Sequence, residues 1–191
     1  MTRHTQHLTS VAVLAAAVMA LSSCNSPAAE PSDNTSSATS APPTATASAS
    51  TTKTESVAEQ AAREAREAVP AYWGKIDQLA SDPNTSLSGL AEVADGQALT
   101  QWQRTLTLMR GDGVKQVGSV KVEDVHATPG KESGTYKVDA CVDVSKVNVI
   151  DKDGKSVISA DRQPRTRYTY QVQKINGTYY ITEDSFKGKP C

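Results

Sequence analysis

Between residues 56 and 109 the apolar positions recur every three or four residues, and from Val120 onward they alternate. The first period belongs to one face of a helix and the second to one face of a strand. Ala58, Ala61, Ala65, Ala68, Tyr72, Ile76 and Leu79 make a single apolar stripe. Ser56 and Glu59 ahead of it form a capping box, in which hydroxyl and carboxylate each satisfy an orphan amide of the first turn. Pro70 lies inside the stripe and predicts a kink or a break there. A short helix is expected over 87–93. After Asp95-Gly96 a third helix carries Leu99, Trp102, Leu106 and Met109 on one face, until Gly111 and Gly113 stop it.

The alternating part begins with Val120 and Val122, followed by Val138, Ala140, Val142 and Val144. Tyr168, Tyr170 and Val172 come next, then Tyr179 and Ile181, which makes about four strands. Asp153-Gly154 and Asn176-Gly177 are expected as hairpin turns, because both central residues of a type I′ turn take positive φ. Apolar residues hold even positions through Val144 and odd positions at Val147 and Val149. A strand changes face only by taking in an extra residue, so this predicts a bulge near Ser145-Lys146; the competing expectation is that the strand leaves the sheet at Ser145. Helices first and strands afterwards make an α+β domain over 56–191, with N-terminal helices packed on a bent antiparallel sheet.

Ahead of this domain the pattern changes twice. Residues 11–21 are all apolar, preceded by Arg3, His4 and His7 and by no acid. A positive start, a short apolar run and small residues after it define a secretory signal over 1–23. The run is too short for a bilayer, which takes about 20 apolar residues. Residues 25–55 are mostly Ser, Thr, Ala and Pro, and their only charges are Glu30, Asp33, Lys53 and Glu55. With nothing to bury against the entropy of ordering, 24–55 is expected to be a disordered tether whose ends lie on the order of 30 Å apart.

At the junction, Leu21-Ser22-Ser23-Cys24 resembles the lipobox of bacterial lipoproteins: an aliphatic residue, two small ones and the cysteine that takes the lipid. The resemblance implies cleavage before Cys24, diacylation of its sulfur, and anchorage to the outer face of the cytoplasmic membrane. Two acyl chains, at about 0.8 kcal/mol per buried methylene, make a stable anchor where one is reversible.

Charge narrows the partners. Of the 20 Lys and Arg only Arg3 and Lys53 precede Val57, and of the 21 acids only Glu30, Asp33 and Glu55 do. The domain is therefore balanced, which argues against nucleic acid and against a polybasic grip on headgroups. With Cys24 assigned to lipid, Cys141 and Cys191 remain, and an even pair in an exported domain is expected to be a disulfide.

Candidate chemistry is sparse. His126 is the only histidine after the signal segment, and Asp139 or Asp143 is its nearest conceivable proton-transfer partner. Tyr72, Trp73 and Trp102 are candidates to line a cavity between helices and sheet, although their spacing also suits ordinary core packing. Asp151-Lys152-Asp153-Gly154 echoes the start of a calcium loop but lacks the closing glutamate. Arg162, Arg165 and Arg167 with Lys155 form a basic cluster, read as charge defending an edge strand. There is no phosphate loop, no Gly-x-Ser-x-Gly and no dinucleotide fingerprint, and no metal or cofactor is expected.

Residues from about Tyr72 to Cys191 resemble a family of small secreted or lipid-anchored proteins of high-GC Gram-positive bacteria and their phages. The segments that carry this are Ala94-Asp95-Gly96-Gln97-Ala98-Leu99 with Trp102, Cys141-Val142-Asp143-Val144-Ser145, Val149-Ile150-Asp151-Lys152-Asp153-Gly154 and Pro190-Cys191. The order of elements also resembles the cone-shaped NTF2-like fold. Together these readings lead us to expect a non-enzymatic, membrane-anchored binding lipoprotein whose partner is an envelope protein or a small ligand. A prophage exclusion lipoprotein is one variant of that reading. The alternative is a small-molecule carrier or enzyme, and it requires Tyr72, Trp73, His126 and Asp139 to meet in one cavity.

Overall fold

The computed structural model describes residues 55–191; the signal segment, Cys24 and nearly all of the tether lie outside the described residues. Helix α1 covers Val57–Ser81, a 3-10 helix covers Leu87–Glu92, and α2 covers Gly96–Gly111. Six strands follow: β1 Lys115–Val117, β2 Lys121–Pro129, β3 Thr135–Asp143, β4 Asn148–Ile150, β5 Arg165–Ile175 and β6 Thr178–Pro190. Four of them form an antiparallel sheet in the order β2-β3-β5-β6, and β1 pairs with β4 in a second, smaller sheet. The expected α+β order is present, with β1 and β4 added to it.

The capping box forms as anticipated. The Ser56 hydroxyl accepts from the Glu59 amide at 3.2 Å, and the Glu59 carboxylate accepts from the Ser56 amide at 2.9 Å. From there α1 runs unbroken through Pro70. The expected break does not occur. Pro70 sits on the exposed side, while Ala65, Val69, Tyr72, Trp73, Ile76 and Leu79 on the other side are held in the core. Their burial, of order 1.5–3 kcal/mol for each large side chain, outweighs one missing backbone hydrogen bond. Against this face stand Val138, Ala140 and Val142 of β3, Tyr170 and Val172 of β5, and Ile181 of β6.

The turns divide. Asn176 and Gly177 have φ of +51° and +91°, as a type I′ hairpin requires, and they join β5 to β6. At Asp153-Gly154 only the glycine has positive φ. The chain still reverses here, with Ile150 bridging Ser156 antiparallel, but the turn is of Asx type, not type I′: the Asp151 carboxylate accepts from the amides of Asp153 and Lys155 and the Asp151 carbonyl from Gly154. This also uses the carboxylate that suggested calcium, and no cluster of three or more metal-binding side chains exists among the described residues.

No bulge occurs at Ser145-Lys146. The chain leaves the large sheet after Asp143, whose side chain accepts from the Ser145 amide at 2.8 Å, and Val147 closes a turn onto Val144. Asn148–Ile150 then joins β1, so the valines change parity because they change sheets. The register shifts lie elsewhere, in β2 between Glu123 and His126, and twice in the β5–β6 ladder. Such irregularities bend a strand and increase its twist, which lets the sheet curve around α1. The disulfide between Cys141 and Cys191 is present, with Cα atoms 6.0 Å apart, and ties the far end of β6 back to β3.

Candidate functional site

The five residues expected to line one cavity fall into two groups on opposite faces of the sheet. Tyr72, Trp73 and Trp102 face inward from α1 and α2 and pack with Tyr168 and Tyr170. Ring centroids lie 5.4 Å apart for Trp73–Trp102, 5.8 Å for Trp73–Tyr168 and 6.2 Å for Tyr72–Tyr170, all edge-on. The Trp73 indole donates to the Tyr170 hydroxyl at 2.8 Å. His126 and Asp139 are cross-strand partners on the outer face, and no hydrogen bond joins them.

At the centre of the inner group is a residue that the alternation pattern does not reveal. Asp184, only 4 % exposed, accepts on Oδ2 from the Tyr72 hydroxyl at 2.9 Å and from the Trp102 indole at 3.0 Å. Its Oδ1 is buried with no hydrogen-bond partner. Simple alternation after Tyr179 and Ile181 turns Glu183 inward. The extra residue at Thr182 resets the register, because Val172 faces Ile181 but Gln171 faces Glu183. Glu183 is exposed in consequence, and Asp184 takes the inner position opposite Tyr170.

Burial raises the Asp184 carboxyl above the ordinary carboxylate range, against the opposing pull of the Trp102 and Tyr72 hydrogen bonds. Tyr168 is pushed up to about 12, chiefly by burial. Tyr72 and Tyr170 are raised further for the same reason and stay neutral, Tyr72 donating to Asp184 and Tyr170 accepting from the Trp73 indole. Because the folded-state pKa of Asp184 exceeds its unfolded value of about 3.9, its contribution to stability is complete below that pH and is lost as pH rises through the folded pKa. Asp184→Asn cannot ionise, and its buried amide brings two N–H donors without an acceptor where the protonated carboxyl brings one O–H. The variant is therefore expected to be less stable than wild type at low pH, by about 1–3 kcal/mol. That gap should narrow as pH rises above about 4. Urea melts of both proteins across this range check it, and parallel stability curves would refute the assignment.

The outer group belongs to a groove of about 520 Å³. His126, Asp139, Ala140, Arg167, Tyr168 and Thr169 line it, together with Lys187 and Lys189. Asp139 accepts from the Thr169 hydroxyl at 2.5 Å and pairs with Lys137 at 2.9 Å. Burial alone would raise Asp139, but Thr169, Lys137 and the charge of Lys187 outweigh it and hold the carboxyl below its usual value.

The expected basic cluster separates. β5 lies between β3 and β6, so it is no edge strand, and its arginines are not an edge defence. Arg165 pairs with Glu123 at 2.5 Å, the Arg162 guanidinium donates to the Val144 and Val147 carbonyls, and Lys155 stands in the Asx turn. Arg167 alone of this cluster reaches the groove.

A second groove, of about 680 Å³, runs between α1 and the β1–β2 connection. Asp77 braces it by accepting from Gln116 and from the Val120 amide.

No family model matches this sequence, and no curated protein does. Solved structures do match. The intermembrane-space region of the chloroplast protein ARC6 is 21 % identical, with a TM-score of 0.50 over 65 % of this chain and 95 % of that one. A candidate aromatic ring hydroxylase from Novosphingobium aromaticivorans is 13 % identical, with a TM-score of 0.48 over 66 % and 87 %. A candidate scytalone dehydratase from the same organism is 11 % identical, with a TM-score of 0.43 over 65 % and 80 %. At these identities the likeness is one of fold. Helices followed by a bent four-stranded antiparallel sheet make this an α+β domain, a fold it shares with the ARC6 region.

Proposed function

We propose that the chain is a lipid-anchored, extracytoplasmic binding module, held through Cys24 on the outer face of the cytoplasmic membrane, with 24–55 as its spacer and 56–191 as its recognition domain. The observation that carries the binding part is the gathering of three cations without an ion pair in one open groove. Arg167, Lys187 and Lys189 line an open groove without an ion pair among the described residues, whereas the neighbouring Arg165 and Lys137 are both paired. The interior is occupied by the aromatic cluster around Asp184. The enzyme reading needed Tyr72 and Trp73 in one cavity with His126 and Asp139, and the sheet stands between the two pairs. The anchor is argued from the lipobox-like Leu21-Ser22-Ser23-Cys24 and from a disulfide that suits an oxidising compartment.

Fractionation of cells expressing the full chain tests the anchor. Wild type is expected in the membrane fraction, extracted by detergent but not by salt. Cys24→Ala, lacking the acylated sulfur, is expected to lose membrane retention. A Cys24→Ala protein that still sediments with membranes would remove the basis of the anchor.

A further inference from the structure

The geometry points to a specific ligand for the outer groove: we propose that it binds a small organic phosphate monoester, with the phosphate held by Arg167, Lys187 and Lys189 and the organic body along the groove floor beside Thr169. This deepens the binding-module reading and rests on it.

The construction of the groove supports this. Along the β5–β6 ladder Thr166 faces Pro190 and Tyr168 faces Phe186, so Arg167 stands against a wide bulge of Lys187, Gly188 and Lys189. Gly188 has a φ of +64°, a conformation that side-chain-bearing residues rarely adopt, so the bulge depends on glycine there. The bulge brings two lysines from β6 to the same groove as the arginine of β5. The disulfide from Cys191 to Cys141 fixes the chain just beyond it.

Edge defence is the competing explanation, because β6 is an outer strand and edges commonly carry lysines and bulges. Part of this edge is already covered by backbone: the Ile181 amide donates to Val93 and the Asp95 amide donates to Ile181. Edge defence also gives no account of Arg167, which comes from an interior strand.

Charge selects the ligand class. The groove lining sets Arg167, Lys187 and Lys189 against the single carboxylate of Asp139, which is itself paired with Lys137, so positive charge is in excess by at least two. A phosphate monoester carries close to two negative charges at neutral pH, with a second pKa of about 6, whereas a phosphodiester carries one. Arginine offers a planar fork that matches phosphate oxygens, and lysines add point charges. Tyr168 and Ala140 turn their side chains to the core, so β3 and β5 present their backbone and the Thr169 side chain as the floor beside the cations.

Calorimetric titration of the full chain in detergent at fixed ionic strength tests this, with phenyl phosphate as the probe. Saturable one-to-one binding is expected, and Arg167→Gln and Lys187→Gln should each weaken it about tenfold or more. Arg104→Gln, which removes an exposed cation from α2, should leave it unchanged. Both groove positions are exposed, so the variants are expected to fold, and their melting temperatures are recorded alongside. The proposal is overturned if phenyl phosphate does not saturate, or if all three variants bind alike. It is equally overturned if dimethyl phosphate or phosphatidylglycerol vesicles bind as tightly, since the groove would then be reading diesters or lipid headgroups. The fate of Cys24→Ala in fractionation does not depend on any of these results, so the anchor and the ligand can fail separately.

Discussion

Trp73→Ala is expected to destabilise the domain by about 3–5 kcal/mol, the range for removing a large aromatic from a packed core. Trp73 is 4 % exposed and meets Tyr72, Trp102 and Tyr168 edge-on, so its loss leaves a cavity bordered by three other rings. The change also strips the Tyr170 hydroxyl of the indole that donates to it. Trp73→Phe keeps much of the volume and loses the hydrogen bond, so it should fall well short of the alanine variant. Equilibrium unfolding in urea, with near-UV circular dichroism as a second probe, gives both numbers. A loss under about 1 kcal/mol for Trp73→Ala would show that the interior readily rearranges, and would reopen the carrier reading of the cone.

Opening the disulfide is expected to cost about 2–4 kcal/mol, because the bond closes a loop with a sequence separation of 50 that the unfolded chain would otherwise explore. Reductant should reproduce the effect of the double substitution Cys141→Ala with Cys191→Ala, apart from a packing contribution at the fully buried Cys141. The damage should be local first. Residues 187–190 beyond the Phe186 rung hold to β5 through the Thr166–Pro190 pair, and the disulfide is their covalent tie to β3. Hydrogen exchange should therefore speed up there while the amides of β3 and of β5 near Tyr170 stay protected. Uniform loss of protection across the sheet would mean that the bond supports the whole fold rather than the end of β6. Since Lys187 and Lys189 lie in the same segment, reduction is also expected to weaken the groove.

The sequence and the structure agree where local physics decides. The capping box at Ser56 and Glu59, the helical stripe through Tyr72, Ile76 and Leu79, and the Asn176-Gly177 turn all appear in place. Each depends on side chains a few residues apart, whose spacing is set by helix or hairpin geometry. The pairing of Cys141 with Cys191 was readable from parity, since only two cysteines follow Cys24. Pro70 shows the limit of a local rule: its cost is intrinsic, but the burial that overrides it comes from β3, β5 and β6.

The candidate site was less legible for a definable reason. Single-residue register changes in strands reverse every side chain beyond them, and no motif announces them. One such change at Thr182 sends Asp184 inward beneath Trp102 and Tyr72, the place that unbroken alternation from Ile181 gives to Glu183. Another gathers Lys187 and Lys189 around Arg167, which had been grouped with its sequence neighbours. His126 and Asp139 did prove to be neighbours, but through pairing of β2 with β3 and on the face away from the tryptophans. By itself the sequence determined the order of the helices and of the four long strands, the cap of α1 and the cysteine pair, because these follow from interactions within or between short segments. Only the tertiary structure decided which carboxylate is buried and which cations share a groove, because those depend on how strands far apart in the chain align.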